Sequence, residues 1–196
     1  VKLLEKYNIK AVHTVDPTLL LDKAEWQSYE RQPSEENLQK CNGYVFTYLL
    51  GVDKEMRNSI TVWAKLHNLL IITVPYAVGE KNGVDKNYGD IKITECSPEN
   101  WLWLIDHAEY VITDSFHGSV FSTIFEKKLI VMNRVGEIDI NNRMIDFMVM
   151  IKQTDKIIPY SSLSLIDKLE WDYFAINDLL EEEKNQSKRF LVNCLK

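Results

Sequence analysis

"YVITDSFHGSVFSTIFEKKLIVMNR", Tyr110 to Arg134, decides the architecture. A short β-branched run stops at Asp114, then a serine, an aromatic, a histidine and a glycine follow. An almost wholly apolar segment leads on into a second β-branched run. The pattern reads as a strand (110–113), a tight turn, a helix from about Phe116 to Phe125 and a strand (127–133). Val120, Phe121, Ile124 and Phe125 are expected to bury that helix against a sheet.

The turn supports two readings. Asp114 and Ser115 fall at the carboxyl end of a strand, with His117, Gly118 and Ser119 in the first turn of the helix, where backbone amides lack intrahelical partners. Such a terminus receives a carboxylate or phosphate through those donors and the positive end of the dipole. Gly118 would let a ligand come close, and His117 can add a hydrogen bond, a charge or a proton. Alternatively, Asp114 or Ser115 simply caps the helix while Phe116 and His117 pack against a neighbour. A cap explains the aspartate and the serine but leaves the histidine beside glycine unaccounted for, and the pattern alone stops at an anion site.

Outward from the turn, strands and helices alternate. "GYVFTYLLG" (43–51) reads as a buried strand, and Asp53 caps a helix in which Met56, Ile60, Trp63, Leu66, Leu69 and Leu70 recur at helical spacing. "LLIITVPY" (69–76) is a second buried strand. Residues 77–95 carry Gly79, Gly83 and Gly89 among charges and read as a long loop. "SPENWLWLIDHA" (97–108) has Ser97 as N-cap and Pro98 at the first helical position. A further helix is expected over Asn142–Ile151. Ile176, Leu179, Leu180, Phe190, Leu191 and Cys194 form one stripe at the end of the chain. This alternation predicts an α/β, Rossmann-like parallel sheet with helices on both faces and ligands outside the carboxyl ends of the strands.

The chain has 196 residues, 45% hydrophobic and 27% charged, which suits a conventional globular domain. A net charge of −6 makes nucleic acid an unlikely partner. Cys41, Cys96 and Cys194 are widely spaced and unpaired in pattern, as three ordinary thiols in a reducing compartment would be. No apolar run reaches the length of a membrane span, and no signal peptide is expected. The polar stretch Gln32–Asn42 reads as a linker. The chain opens with Val1, as a fragment of a longer protein would.

The DSFHG turn with its flanks "SPENWLWLIDHAEYV" and "KKLIVMNR", together with "DPTLLLDKAEW" and "GYVFTYLLG" upstream, resembles the polysaccharide pyruvyl transferase family in order from Asp16 to about Met150. The resemblance implies a GT-B-like protein of two Rossmann-like domains facing a cleft. Residues 1–42 would be the end of a missing N-terminal domain plus linker, 43–175 the Rossmann-like C-terminal domain, and 176–196 a C-terminal helix.

It also implies transfer of a pyruvyl group from phosphoenolpyruvate to two hydroxyls of a saccharide or lipid-linked saccharide. The work would take place in the cytoplasm or at the inner face of the membrane, with no cofactor and no metal. His117 maps onto the donor-site histidine of the family, with phosphoenolpyruvate contact and general-acid roles. Several branches of the family carry an arginine two residues before that histidine, where this chain has Ser115, and a serine does not replace a guanidinium.

Replacement charge is expected from Arg134 or Arg143, each of which could equally be a surface arginine. Ser115, Gly118, Ser119 and Tyr48 complete the expected substrate site, although a core tyrosine explains Tyr48 nearly as well. His13, His67 and His107 carry no motif. Lys127, Lys128 and Glu181–Glu183 read as solvated surface. Two other functions stay open: a GT-B transferase with another donor such as a sugar nucleotide, and a non-catalytic anion- or glycan-binding module. The fragment alone is expected to be inactive, because catalysis in a two-domain cleft needs both walls.

Overall fold

The structure is a computed structural model and describes residues 4, 6–35, 37–38, 43–75, 83–134 and 138–195, with the backbone only for 138–141. Five parallel strands form one sheet: β1 (Tyr44–Tyr48), β2 (Leu70–Thr73), β3 (Ile91–Lys92), β4 (Tyr110–Thr113) and β5 (Lys128–Val131). Their spatial order is β3-β2-β1-β4-β5. The direction of winding therefore reverses between β1 and β4, which pair in register from Val45↔Tyr110 to Tyr48↔Thr113. That reversal is where ligands bind in open α/β sheets.

Alternate strand residues face two cores. Phe46, Ile72, Val111, Leu129 and Val131 meet α3 (Pro98–Asp106), α4 (Phe116–Ile124), α5 (Ile138–Met150) and α6 (Tyr173–Cys194) on one face. Val45, Ile71, Ile112 and Ile130 meet α2 (Lys54–Leu66) and the 3-10 segment Tyr160–Lys168 on the other. Helices thus cover both faces, as the alternation of patterns predicts. The short α1 (Lys23–Gln27) precedes the sheet, with Val15, Leu19 and Leu38 entering the core beside α4.

Local chemistry explains the boundaries. The Asp53 side chain accepts from Met56 N at 3.0 Å and starts α2, whose Met56, Ile60, Trp63 and Ala64 are buried at helical spacing. Ser97 and Asn100 form a reciprocal capping box at α3, with Pro98 in the first turn.

Three expectations need correction. The long loop over 77–95 ends in β3, whose Ile91 and Lys92 pair with Ile72 and Thr73 of β2. Two residues are too few for a periodic signal, and the pairing is set by tertiary contact. The described part of that loop is pinned by a buried ion pair, Arg57 Nε to Asp85 Oδ1 at 2.7 Å. The helix expected from Asn142 begins at Ile138. The terminal helix begins at Tyr173 and buries Ile176 and Leu180, whereas Leu191 and Cys194 are exposed. Its far end runs past the core, so the apolar stripe continues where nothing described covers it. Cys41, Gly79 and residues 36 and 39–42 of the expected linker lie outside the described residues.

Candidate functional site

At the winding reversal the two central strands are tied by one side chain. Asp114, directly after β4, is buried, and its carboxylate accepts from Leu50 N at 2.7 Å and Gly51 N at 2.8 Å, just past β1. Arg134 follows β5 and reaches back, with Nε 3.5 Å from Asp114 Oδ2 and Nη2 donating to the Asp114 carbonyl at 3.1 Å. Burial pushes the Asp114 carboxyl above its ordinary range, against the opposing pull of the two amides and of Arg134. Asp114 is therefore a strand tie and not the helix cap. The cap is Ser115, whose Oγ accepts from Gly118 N at 3.3 Å.

Two assignments in the turn are corrected by packing. A Cβ on Gly118 would lie 2.5 Å from Thr113 Oγ1, so this glycine lets α4 close onto β4 and is not there to admit a ligand. The Thr113 hydroxyl is itself engaged, donating to Tyr48 O at 2.7 Å and accepting from Ser115 N at 3.1 Å. Ser119 is fully buried and donates to the Ser115 carbonyl at 3.1 Å, so it points into the fold.

His117 is different. Its side chain is 51% exposed, and Nε2 lies 3.7 Å from Asp16 Oδ2. Arg143 Nη2 lies 3.5 Å from the same oxygen, and its guanidinium stacks over the Phe116 ring at 4.2 Å. The other oxygen of Asp16 caps Thr18, accepting from its amide at 3.1 Å and its hydroxyl at 2.8 Å. One carboxylate thus starts the 3-10 turn Pro17–Leu20 and also faces an imidazole and a guanidinium.

On its other side His117 borders a cleft of about 410 Å³ shared with Tyr48, Leu50, Cys96, Trp101 and Ser115. Tyr48 meets Trp101 edge to face at 5.4 Å. Burial pushes the Cys96 thiol up to about 11, which keeps it un-ionised and weakly nucleophilic. The amides of Phe116 and His117 have no carbonyl behind them within α4, and no acidic residue stands in its first turn.

Of the expected residues, Ser115, Tyr48 and His117 share this cleft, Arg143 joins His117 through Asp16, and Arg134 stands behind Asp114. Sequence reasoning missed Asp16, Trp101 and Cys96 as neighbours of the site. The Asp16-Pro17 pair does signal a turn, but nothing in its own window points to His117.

The family model described as polysaccharide pyruvyl transferase matches residues 1–134. No curated protein matches the chain. Among solved structures, UDP-GlcNAc 2-epimerase from Methanocaldococcus jannaschii in complex with UDP-GlcNAc and UDP is similar in fold. It is 16% identical, with a TM-score of 0.51 over 94% of this chain and 51% of that one. Another structure of UDP-GlcNAc 2-epimerase from the same organism is 14% identical, with a TM-score of 0.48 over 80% of this chain and 43% of its own. The chain thus spans about half the length of the solved proteins it matches, and the likeness to the complexed epimerase is one of fold, α/β and Rossmann-like. With its match running from residue 1 through the DSFHG turn to Arg134, the chain belongs to the polysaccharide pyruvyl transferase family.

Proposed function

We propose that this chain forms the donor-side half of a cytoplasmic pyruvyl transferase, which moves the pyruvyl group of phosphoenolpyruvate onto two hydroxyls of a saccharide as a cyclic ketal. The observation that carries the reading is the open start of α4, with its acid-free first turn and a half-exposed His117 facing Asp16. Phosphoenolpyruvate brings two anionic groups and a methylene carbon that must gain a proton. The amides of Phe116 and His117 supply the dipole end for one anion. Arg143, which reaches the same corner, supplies mobile charge where Ser115 stands in place of an arginine. His117 is the general acid toward the methylene carbon, and the Asp16 carboxylate, 3.7 Å from its Nε2, orients the ring.

The acceptor saccharide, free or lipid-linked, would enter from a further domain of the same protein facing this cleft, and the isolated chain would not turn over. No helix among the described residues is long and apolar enough to cross a membrane.

The test is phosphate release from phosphoenolpyruvate by the full-length protein supplied with saccharide acceptor. His117→Ala is expected to reduce turnover by ~10²–10⁴-fold. Activity with a sugar nucleotide and none with phosphoenolpyruvate would replace this reading with the other-donor transferase. Saturable anion or glycan binding without any turnover would replace it with a binding module.

A further inference from the structure

At the opposite, amino edge of the sheet lies a second group of titratable side chains. Helix α3 ends at Asp106 and His107 before the chain enters β4, and the segment after α1 runs back along it. Gln27 Nε2 donates to Asp106 Oδ2 at 2.8 Å, Arg31 N donates to Glu99 O at 3.2 Å, and Asn100 Nδ2 donates to Arg31 O at 2.8 Å. Between these ties Glu30 turns inward. Glu30, Asp106 and His107 each bring one potential ligand atom within 4.8 Å of the others.

Glu30 is the unusual member. Its side chain is only 9% exposed, and Oε1 has no hydrogen-bond partner. A buried carboxylate oxygen left unpaired is destabilising unless a proton or a cation meets it. Burial first, and the nearby Asp106 second, push the Glu30 carboxyl up to about 7. Lys127 and Lys23 oppose that shift without cancelling it, and Lys127 is spent mainly on Asp106, with Nζ 3.5 Å from Asp106 Oδ1 and a contact to the Asp106 carbonyl. The carbonyl end of α3 adds partial negative charge to the same spot. His107 stacks on Trp103 at 4.2 Å and places Nδ1 3.0 Å from the Trp103 carbonyl and 3.9 Å from Glu30 Oε2.

We propose that Glu30, Asp106 and His107 bind a single divalent cation, clipping the segment after α1 onto the end of α3. Two carboxylates and one imidazole suit a borderline ion of the Mn²⁺ or Zn²⁺ class better than Mg²⁺ or Ca²⁺, which favour all-oxygen sets. The cation takes the buried, unpaired oxygen of Glu30 as a ligand. It also displaces the proton that His107 Nδ1 shares with the Trp103 carbonyl, and water fills the remaining positions. The site lies at the other edge of the sheet from the cleft beside His117, so its role is structural and its test is independent of the pyruvyl transferase reading.

Mn²⁺ is the probe, because its free form has an electron paramagnetic resonance signal that fades on binding and because thiols compete for it weakly. The chelator-treated chain is expected to bind one Mn²⁺ and to melt at a higher temperature with it. Glu30→Gln and Asp106→Asn are each expected to weaken binding by about tenfold or more, while His117→Ala leaves it unchanged. Glu30→Gln preserves shape, and its own melt reports that it folds. No saturable binding by the natural chain, or equal binding by Glu30→Gln, would overturn the site and leave a proton alone between the two carboxyl groups.

Discussion

Helices α3 and α4 both start at the carboxyl edge of the sheet behind a serine, and both border the same cleft, yet their first turns are completed in opposite ways. In α3, Ser97 accepts from Asn100 N at 3.2 Å, and Asn100 Oδ1 accepts in return from Ser97 N at 3.4 Å. The second helical residue, Glu99, is held below the usual carboxylate range by bonds from the Ser97 hydroxyl and its own amide. That terminus is closed and its dipole is neutralised from within. In α4 the serine is present, but the residue that would answer it is Gly118, and the position matching Glu99 is His117. The first turn has no side-chain acid of its own. A closed helix start serves the fold, whereas an open one with a half-exposed imidazole keeps its positive end for something outside.

The comparison can be broken most severely at Asp114. Asp114→Asn keeps the shape but offers one acceptor to two amides, and turns an NH₂ group toward the second. A loss of about 3 kcal/mol in unfolding free energy is expected, measured by urea denaturation, because a buried partner of both backbone and Arg134 is lost. Anion binding at α4 should weaken with it, since the turn is positioned by this tie. Gly118→Ala forces a methyl group against Thr113 and should cost ~1–3 kcal/mol. The double variant with Thr113→Ala is expected to cost less than the sum of the two singles, because the clash is shared. An additive result would place the strain elsewhere.

Much of this contrast was legible in the residues themselves. Ser97-Pro98-Glu99 announces a closed helix start, and the apolar period after Phe116 announces a helix buried on a sheet, because caps and periodicity act within one turn of chain. The parallel α/β sheet follows from the same local signals. What could not be read is what tertiary contact assigns. Asp114 meets Leu50 across 64 residues of chain, so the motif alone could not separate a strand tie from a cap. Ser119 and Gly118 lie in the same motif as His117, yet helix phase sends the first two into the core and leaves the third outside. Asp16 reaches His117 only because the amino-terminal segment packs beside α4. The two residues of β3 carry no period and are a strand by virtue of their neighbour β2.

Smaller changes sharpen the comparison. Ser97→Ala removes the reciprocal cap of α3 and should cost ~1 kcal/mol in a thermal or urea melt while leaving anion binding unaffected. His117→Glu gives α4 the acid that α3 already has. It should change unfolding free energy by less than about 1 kcal/mol, because the gain at the helix dipole is offset by repulsion from the Asp16 carboxylate facing this position, and abolish anion binding at the same time. Stability kept while binding is lost is the signature of a terminus reserved for a ligand. A variant that loses both would mean that His117 is structural.

Calorimetric titration of phosphoenolpyruvate into this chain and into the full-length protein, each beside its His117→Glu variant, is the most direct test. Saturable binding by the natural sequence that vanishes in the variant, with the variant still folded, is the expected result. Equal binding by both, or none even by the full-length protein, would contradict an anion site at the start of α4.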